Sequence, residues 1–202
     1  MIFTLAKLSS ASNAAKLDSL ELLYLASGTL PSAAFESKAY ELKIVIFSEI
    51  VSNPEPKIQQ SALKLLKSLC ALLRLTCDFQ QKFLNEALSA VQLGNNEIIA
   101  KAAVMIEAVA SSSQCSFELA LECLLMPLVQ LAKSEETMKA QVSRNCLVAL
   151  LLPLKNEKSW IKPKLSALGP SLLAKLSIPA ADYGVFLVIY SFVSAVIEPV
   201  IA

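Results

Sequence analysis

Glu118 and Glu122 stand four residues apart and are the nearest this chain comes to a catalytic pair. At that spacing both fall on one face of a helix, where two acids can share a proton or hold a metal ion. A solvated or partner-facing surface accounts for the same pair without any chemistry. Other reactive sets are missing from the sequence. The 202 residues include no histidine, so no serine–histidine or cysteine–histidine nucleophile can be assembled and no imidazole can ligate a metal. Gly28, Gly94, Gly169 and Gly184 form neither a GxGxxG nor a phosphate-cradling loop. Cys70, Cys77, Cys115, Cys123 and Cys146 are odd in number and contain no CxxC pair, which argues against a zinc site and a disulfide framework. Each lies in or beside an apolar run, the setting of a buried, reduced thiol in an intracellular protein. No catalytic residue, cofactor or metal is assigned, and the chain reads as a non-enzyme.

Two other stretches have residue types suited to holding a partner. "KNEKSWIKPK" sets Lys155, Lys158, Lys162 and Lys164 around Trp160, the only tryptophan. Tryptophan is a strong interface anchor, and lysines suit an acidic or phosphorylated partner. The same stretch also reads as a solvated inter-helix loop with Trp160 tucked into the core. The second stretch is "YGVFLVIYSFVSAVIEPVIA", residues 183–202. It is long enough to span a bilayer and holds one charge, Glu198. Pro199 and the lack of a following basic cluster favour a buried terminal helix over a membrane anchor. Such a helix, apolar nearly all round, needs cover on several sides. Tyr183, Phe186, Tyr190 and Phe192 would anchor an interface unless a further helix of a longer chain covers them. The abrupt apolar ending fits a fragment of a longer protein. At the other end, "MIFTLAKLSS" is too short and too weakly basic for a secretory signal.

The elements that carry these residues are helical. Hydrophobic residues make up 55% of the chain and charged residues 17%, which supplies a large core. The net charge of +1, with only Arg74 and Arg144 as arginines, gives no nucleic-acid footprint. No segment alternates apolar and polar residues over strand length with turn signals at both ends. Breaks fall at Gly28–Pro31, Asn53–Pro56, Arg74–Thr76, Gly94–Asn96, Ser111–Cys115, Ser134–Glu136, Asn156–Ser159 and Ser177–Pro179. About nine helices lie between them, joined by connections short enough to set neighbours antiparallel. Thr76 and Ser134 read as N-caps. Gly28 and Gly94 read as helix C-terminal glycines. Pro163 and Gly169-Pro170 predict a bent or split helix.

Three of the helices repeat. With Ile58, Ile98 and Met138 in one column, Ala62, Ala102 and Val142 align, as do Leu66, Ile106 and Cys146, and then Leu69, Val109 and Ala149. Steps of four, four and three trace one helix face, and the small residues of the second column suit a close helix crossing. Each such helix is followed by another, giving a two-helix unit of about forty residues. The pairs are 11–52, 56–93, 96–133 and 136–177, with a terminal helix at 182–200, all within one domain of residues 1–202.

"IQQSALKLLKSL", "IIAKAAVMIEAV" and "MKAQVSRNCLVA" resemble the first helix of HEAT and armadillo-type repeats, and "ALECLLMPLVQLAK" resembles the second helix of a HEAT repeat. The resemblance covers residues 53–177 and, more loosely, the whole chain. It implies an all-α fold, a right-handed α–α superhelix of about nine helices in antiparallel pairs. There are two departures. The basic residue beside the first aliphatic position is Gln59, Ile99 and Lys139 here, and the asparagine ladder of some armadillo proteins has only Asn85 as an echo. In such an architecture the second helices line the concave side. There the helix over 77–93 buries Phe79, Phe83, Ala87 and Val91 and offers Gln81, Lys82, Asn85 and Glu86. The next helix offers Glu118, Glu122, Gln130 and Lys133.

The functional expectation is a scaffold or adaptor that binds another protein, an obligate partner or a second copy of the chain, through the concave groove or an apolar end of the array. Lys158, Trp160, Lys162, Lys164, Gln81, Asn85, Glu122, Tyr183, Phe186, Tyr190 and Phe192 are the candidate contacts. The alternative is a membrane-associated protein anchored by residues 183–202.

Overall fold

The computed structural model describes residues 12–72, 77–94, 96–132 and 134–155. Within them the chain is all-helical. The eight helices are α1 (Asn13–Thr29), α2 (Ala33–Glu36), α3 (Ala39–Val51), α4 (Pro56–Leu72), α5 (Cys77–Leu93), α6 (Asn96–Ala110), α7 (Gln114–Leu131) and α8 (Thr137–Lys155). No strand occurs among the described residues.

Local chemistry sets most of these boundaries. Ser12 caps α1, its Oγ accepting from the Ala15 N–H at 3.5 Å, and Ser113 caps α7 by accepting from the Ser116 N–H at 3.2 Å. Pro56 opens α4 at a position where a missing N–H costs nothing. The preceding turn is fixed by Asn53, whose Oδ1 accepts from the Glu55 N–H at 2.9 Å. Gly94 ends α5 with φ +72°, and its N–H reaches the Ala90 carbonyl at 3.0 Å.

Several sequence expectations are corrected. Gly28 does not terminate its helix. Helix α1 continues to Thr29, and Leu30, in extended backbone, donates its N–H to the Ala26 carbonyl. Ser134 does not cap α8: its hydroxyl accepts from the Glu136 N–H two residues on, a local turn completed before the helix begins at Thr137. The stretch between the breaks at Gly28–Pro31 and Asn53–Pro56, where the sequence places one helix, holds two. At Ser37–Lys38 the backbone tightens, the Lys38 N–H bonding the Phe35 carbonyl three residues back, before α3 restarts. Pro127 and Pro153 lie inside α7 and α8 and remove one N–H each from the helical ladder.

The packing buries two of the four aligned columns completely and the other two in part. Leu66, Ile106 and Cys146 are fully buried; so are Ala62 and Ala102, while Val142 packs half-buried against the core. Leu69, Val109 and Ala149 are buried too. The first column is broken: Ile58 is buried, Ile98 half-buried, and Met138, in the first turn of α8, is 69% exposed. Its neighbours Glu135, Glu136 and Thr137 are exposed as well, so this helix end lies outside the packed region.

Helix α4 packs on α1 and α3, α6 on α4 and α5, and α8 on α6 and α7. The second helices meet in a row, α3 on α5 and α5 on α7. Phe83 stands at the centre of that row, its ring 6.1 Å from Phe47 of α3 and 5.5 Å from Phe79, both tilted, a favourable aromatic arrangement.

A polar chain also runs across the first three units. Lys16 of α1 pairs with the buried Glu49 of α3 at 2.7 Å. Glu49 accepts a second bond from Asn53 Nδ2 at 2.5 Å, Gln59 Nε2 donates to the Asn53 carbonyl at 2.5 Å, and Lys101 of α6 donates to Gln59 Oε1 at 2.6 Å. A buried carboxylate is tolerable only with partners of this kind.

Candidate functional site

The residues singled out from the sequence fall into two sets. Trp160, Lys158, Lys162 and Lys164 lie outside the described residues, as do Tyr183, Phe186, Tyr190 and Phe192 and the whole apolar segment 183–202. The predicted bend near Gly169 and the cap at Thr76 lie outside them as well.

The second set is on helices whose placement is given. Helix α5 buries Phe79, Phe83, Ala87 and Val91, as its pattern predicts. This turns Asn85 to solvent and leaves Gln81 half-exposed one turn away. Between them Lys82 pairs with Glu86 along the helix, and its ammonium lies 5.8 Å from the centre of the Phe47 ring on α3. Helix α7 packs beside α5 and exposes Glu122. Glu118 is half-buried and accepts from Gln114 Nε2 at 2.9 Å, which ties it into its own helix. Among the described residues no three acids or cysteines come together to hold a metal ion. The α5–α7 surface is thus polar, with Lys82, Glu86 and Glu118 engaged within their own helices.

The cysteines divide. Burial pushes the Cys70 thiol far up, and it pushes Cys146 up to about 12. Both therefore remain neutral, unreactive thiols. Cys115 is exposed, against the expectation that all are buried, because it occupies the outward side of the first turn of α7 while Ser116 and Phe117 take the inward side. Ser116 Oγ reaches the Cys70 carbonyl at 3.5 Å, and Gln80 Nε2 donates to that same carbonyl at 3.0 Å. Together they satisfy a backbone acceptor in the last turn of α4.

Among the described residues, two concave features lie on the other row of helices, where the sequence predicts no site. One groove, of about 230 Å³, runs between α1 and α4 and is lined by Leu20, Glu21, Tyr24, Leu25, Ser61 and Lys64. A second, of about 280 Å³, runs between α4 and α6, with Leu63, Lys64, Lys67, Val104, Glu107 and Ala108 among its lining. Lys64 borders both. Leu25 is 64% exposed and Tyr24 45%, far more than core residues of a helical layer. The sequence held one signal for this surface: Leu22, Tyr24 and Leu25 exceed what α1 needs to pack on α4.

No family model and no curated protein matches this chain.

Proposed function

We propose that this chain is a HEAT- or armadillo-like helical repeat that works without catalysis, as an intracellular scaffold or adaptor holding another protein. The observation that carries the reading is the order of packing: α4 sits on α1 and α3, α6 on α4 and α5, and α8 on α6 and α7, with the third and fourth repeat columns buried in all three helices. Stacking of this kind gives a core that grows by addition, and its long flanks suit contact with another chain. The second support is apolar surface. Leu22 and Leu25 on α1 and Tyr40 and Ile44 on α3 are each more than half exposed, and all four belong to the first pair. Exposed apolar side chains gathered on two helices suit an interface with another chain.

The test is affinity capture of the full chain from cells under mild cross-linking, followed by reconstitution with the purified captured protein. The expected result is a defined complex that forms without detergent and is lost with Leu22→Asp plus Leu25→Asp or with substitutions on the helix flanks. A chain that remains monomeric, captures nothing reproducibly and binds nothing on reconstitution overturns the reading.

A further inference from the structure

We infer that the two grooves flanking α4 form one docking site for a helical segment of a partner protein, with two apolar anchors and an acidic centre. The inference rests on the protein-binding reading above and names the chemistry of the partner. The grooves lie on either side of a single helix and share Lys64. At 230–280 Å³ each falls below the ~300–1,000 Å³ of a small-molecule site, and each suits one or two inserted side chains. Packed helices lie about 8–10 Å apart, so the two grooves are separated by about that distance. Side chains seven positions apart on a helix are spaced by about 10.5 Å. One helix crossing α4 therefore presents an apolar residue to each groove.

Charge selects the occupant. Lys57, Lys64 and Lys67 form an exposed stripe on α4, and none makes an ion pair with a described residue. This contrasts with Lys16, Lys38, Lys82 and Lys139, each of which has a carboxylate partner. Two acids also border the site, Glu21 on α1 and Glu107 on α6, one on each outer wall. The surface thus reads acidic, basic, acidic from α1 across α4 to α6. A complementary helix carries its carboxylates between the two anchors, over Lys64 and Lys67, and none at its ends.

The test uses a labelled synthetic peptide of about 20 residues, long enough to favour a helix, with leucines seven positions apart and glutamates between them. A twin carries lysines in place of the glutamates. Binding to the whole chain is read by fluorescence anisotropy and located by hydrogen exchange. The expected result is binding of the acidic peptide alone, weakened by salt, with protection over α4 and α6. Lys64→Glu plus Lys67→Glu should weaken it at least about tenfold without changing the unfolding midpoint. Because both lysines are exposed, that variant keeps its fold, and Lys64→Gln plus Lys67→Gln provides a milder second variant.

Three results overturn the inference: equal binding of both peptides, no binding of the acidic one, or indifference to the lysine substitutions. Protection over α5 and α7 would also overturn it, moving the site to the other row while leaving the protein-binding reading in place. If the acidic peptide fails while the captured partner still binds the double-lysine variant, only the groove assignment falls. If capture fails as well, both fall.

Discussion

At the scale of single residues, the most demanding group is Glu49. It is a carboxylate held in the interior between Lys16 and Asn53. Removing one partner of such a pair leaves a buried charge under-compensated, which costs more than the pair contributes when intact. Lys16→Met is expected to lower stability by about 2 kcal/mol in urea unfolding, less than for a fully buried pair because Lys16 is one-fifth exposed. An unchanged midpoint would show that Glu49 is satisfied without it. The thiols offer a second residue-scale test. Cys115 should react with maleimide in the native state, while Cys70 and Cys146 should react only on unfolding. The pH dependence has a definite sign. Burial raises the folded pKa of Cys146 from 9.0 to about 12, so its contribution is fully present below pH 9 and is lost as pH rises from there through about 12. Stability should therefore fall on the alkaline side of pH 9, and Cys146→Ala should flatten that fall. None of the Glu49 network was legible in the sequence. Glu49, Asn53 and Gln59 are close in sequence, but Lys16 and Lys101 lie 33 and 42 residues from their partners, and only the stacking of α1, α3, α4 and α6 brings them in.

At the scale of elements, periodicity did most of the work. The faces of α4 and α5 are legible because Ile58, Ala62, Leu66 and Leu69, and then Phe79, Phe83, Ala87 and Val91, recur at helical steps and are buried. Element ends are less legible, since a glycine or a serine can serve two local geometries. Gly94 and Gly28 show the difference. Gly94 has φ +72°, which any side chain strains, whereas Gly28 lies within α1 with no atom within 4 Å of an added Cβ. Gly94→Ala is expected to cost about 1 kcal/mol, and Gly28→Ala to be neutral or stabilising by up to about 1 kcal/mol, both read from thermal unfolding. The opposite order would mean that the two helix ends are built otherwise than described. Phe83 joins α3 to α5 through its ring contacts, so Phe83→Ala should cost about 3–5 kcal/mol. A loss below about 1 kcal/mol would mean that this aromatic cluster does not hold the second-helix row.

At the scale of the whole molecule, the order of packing, α4 on α1 and α3, α6 on α4 and α5, and α8 on α6 and α7, is what supports the scaffold reading proposed above. The candidate surfaces differ in how legible they are. The polar face of α5 and α7, with Gln81, Asn85 and Glu122, stands out in one dimension because its residues lie opposite an apolar stripe. The grooves beside α4 were missed because each has walls from two helices some forty residues apart, and its depth depends on how closely they pack. Lys64 gains meaning only from Tyr24 and Leu25 on one side and Val104 on the other. Electrostatic docking there implies salt dependence, since exposed charges are screened over about 8 Å at physiological ionic strength. Partner association is expected to weaken as salt is raised, while the apolar anchoring that sets residence time changes less.

The most direct measurement is cross-linking mass spectrometry on the full chain captured from cells with its partner and purified without detergent. The expected result is a second polypeptide in constant ratio, with cross-links concentrated on Lys57, Lys64 and Lys67 and absent from Lys16, whose ammonium is held by Glu49. A chain that yields only intramolecular links, and elutes as a monomer by light scattering, would contradict a protein-holding role.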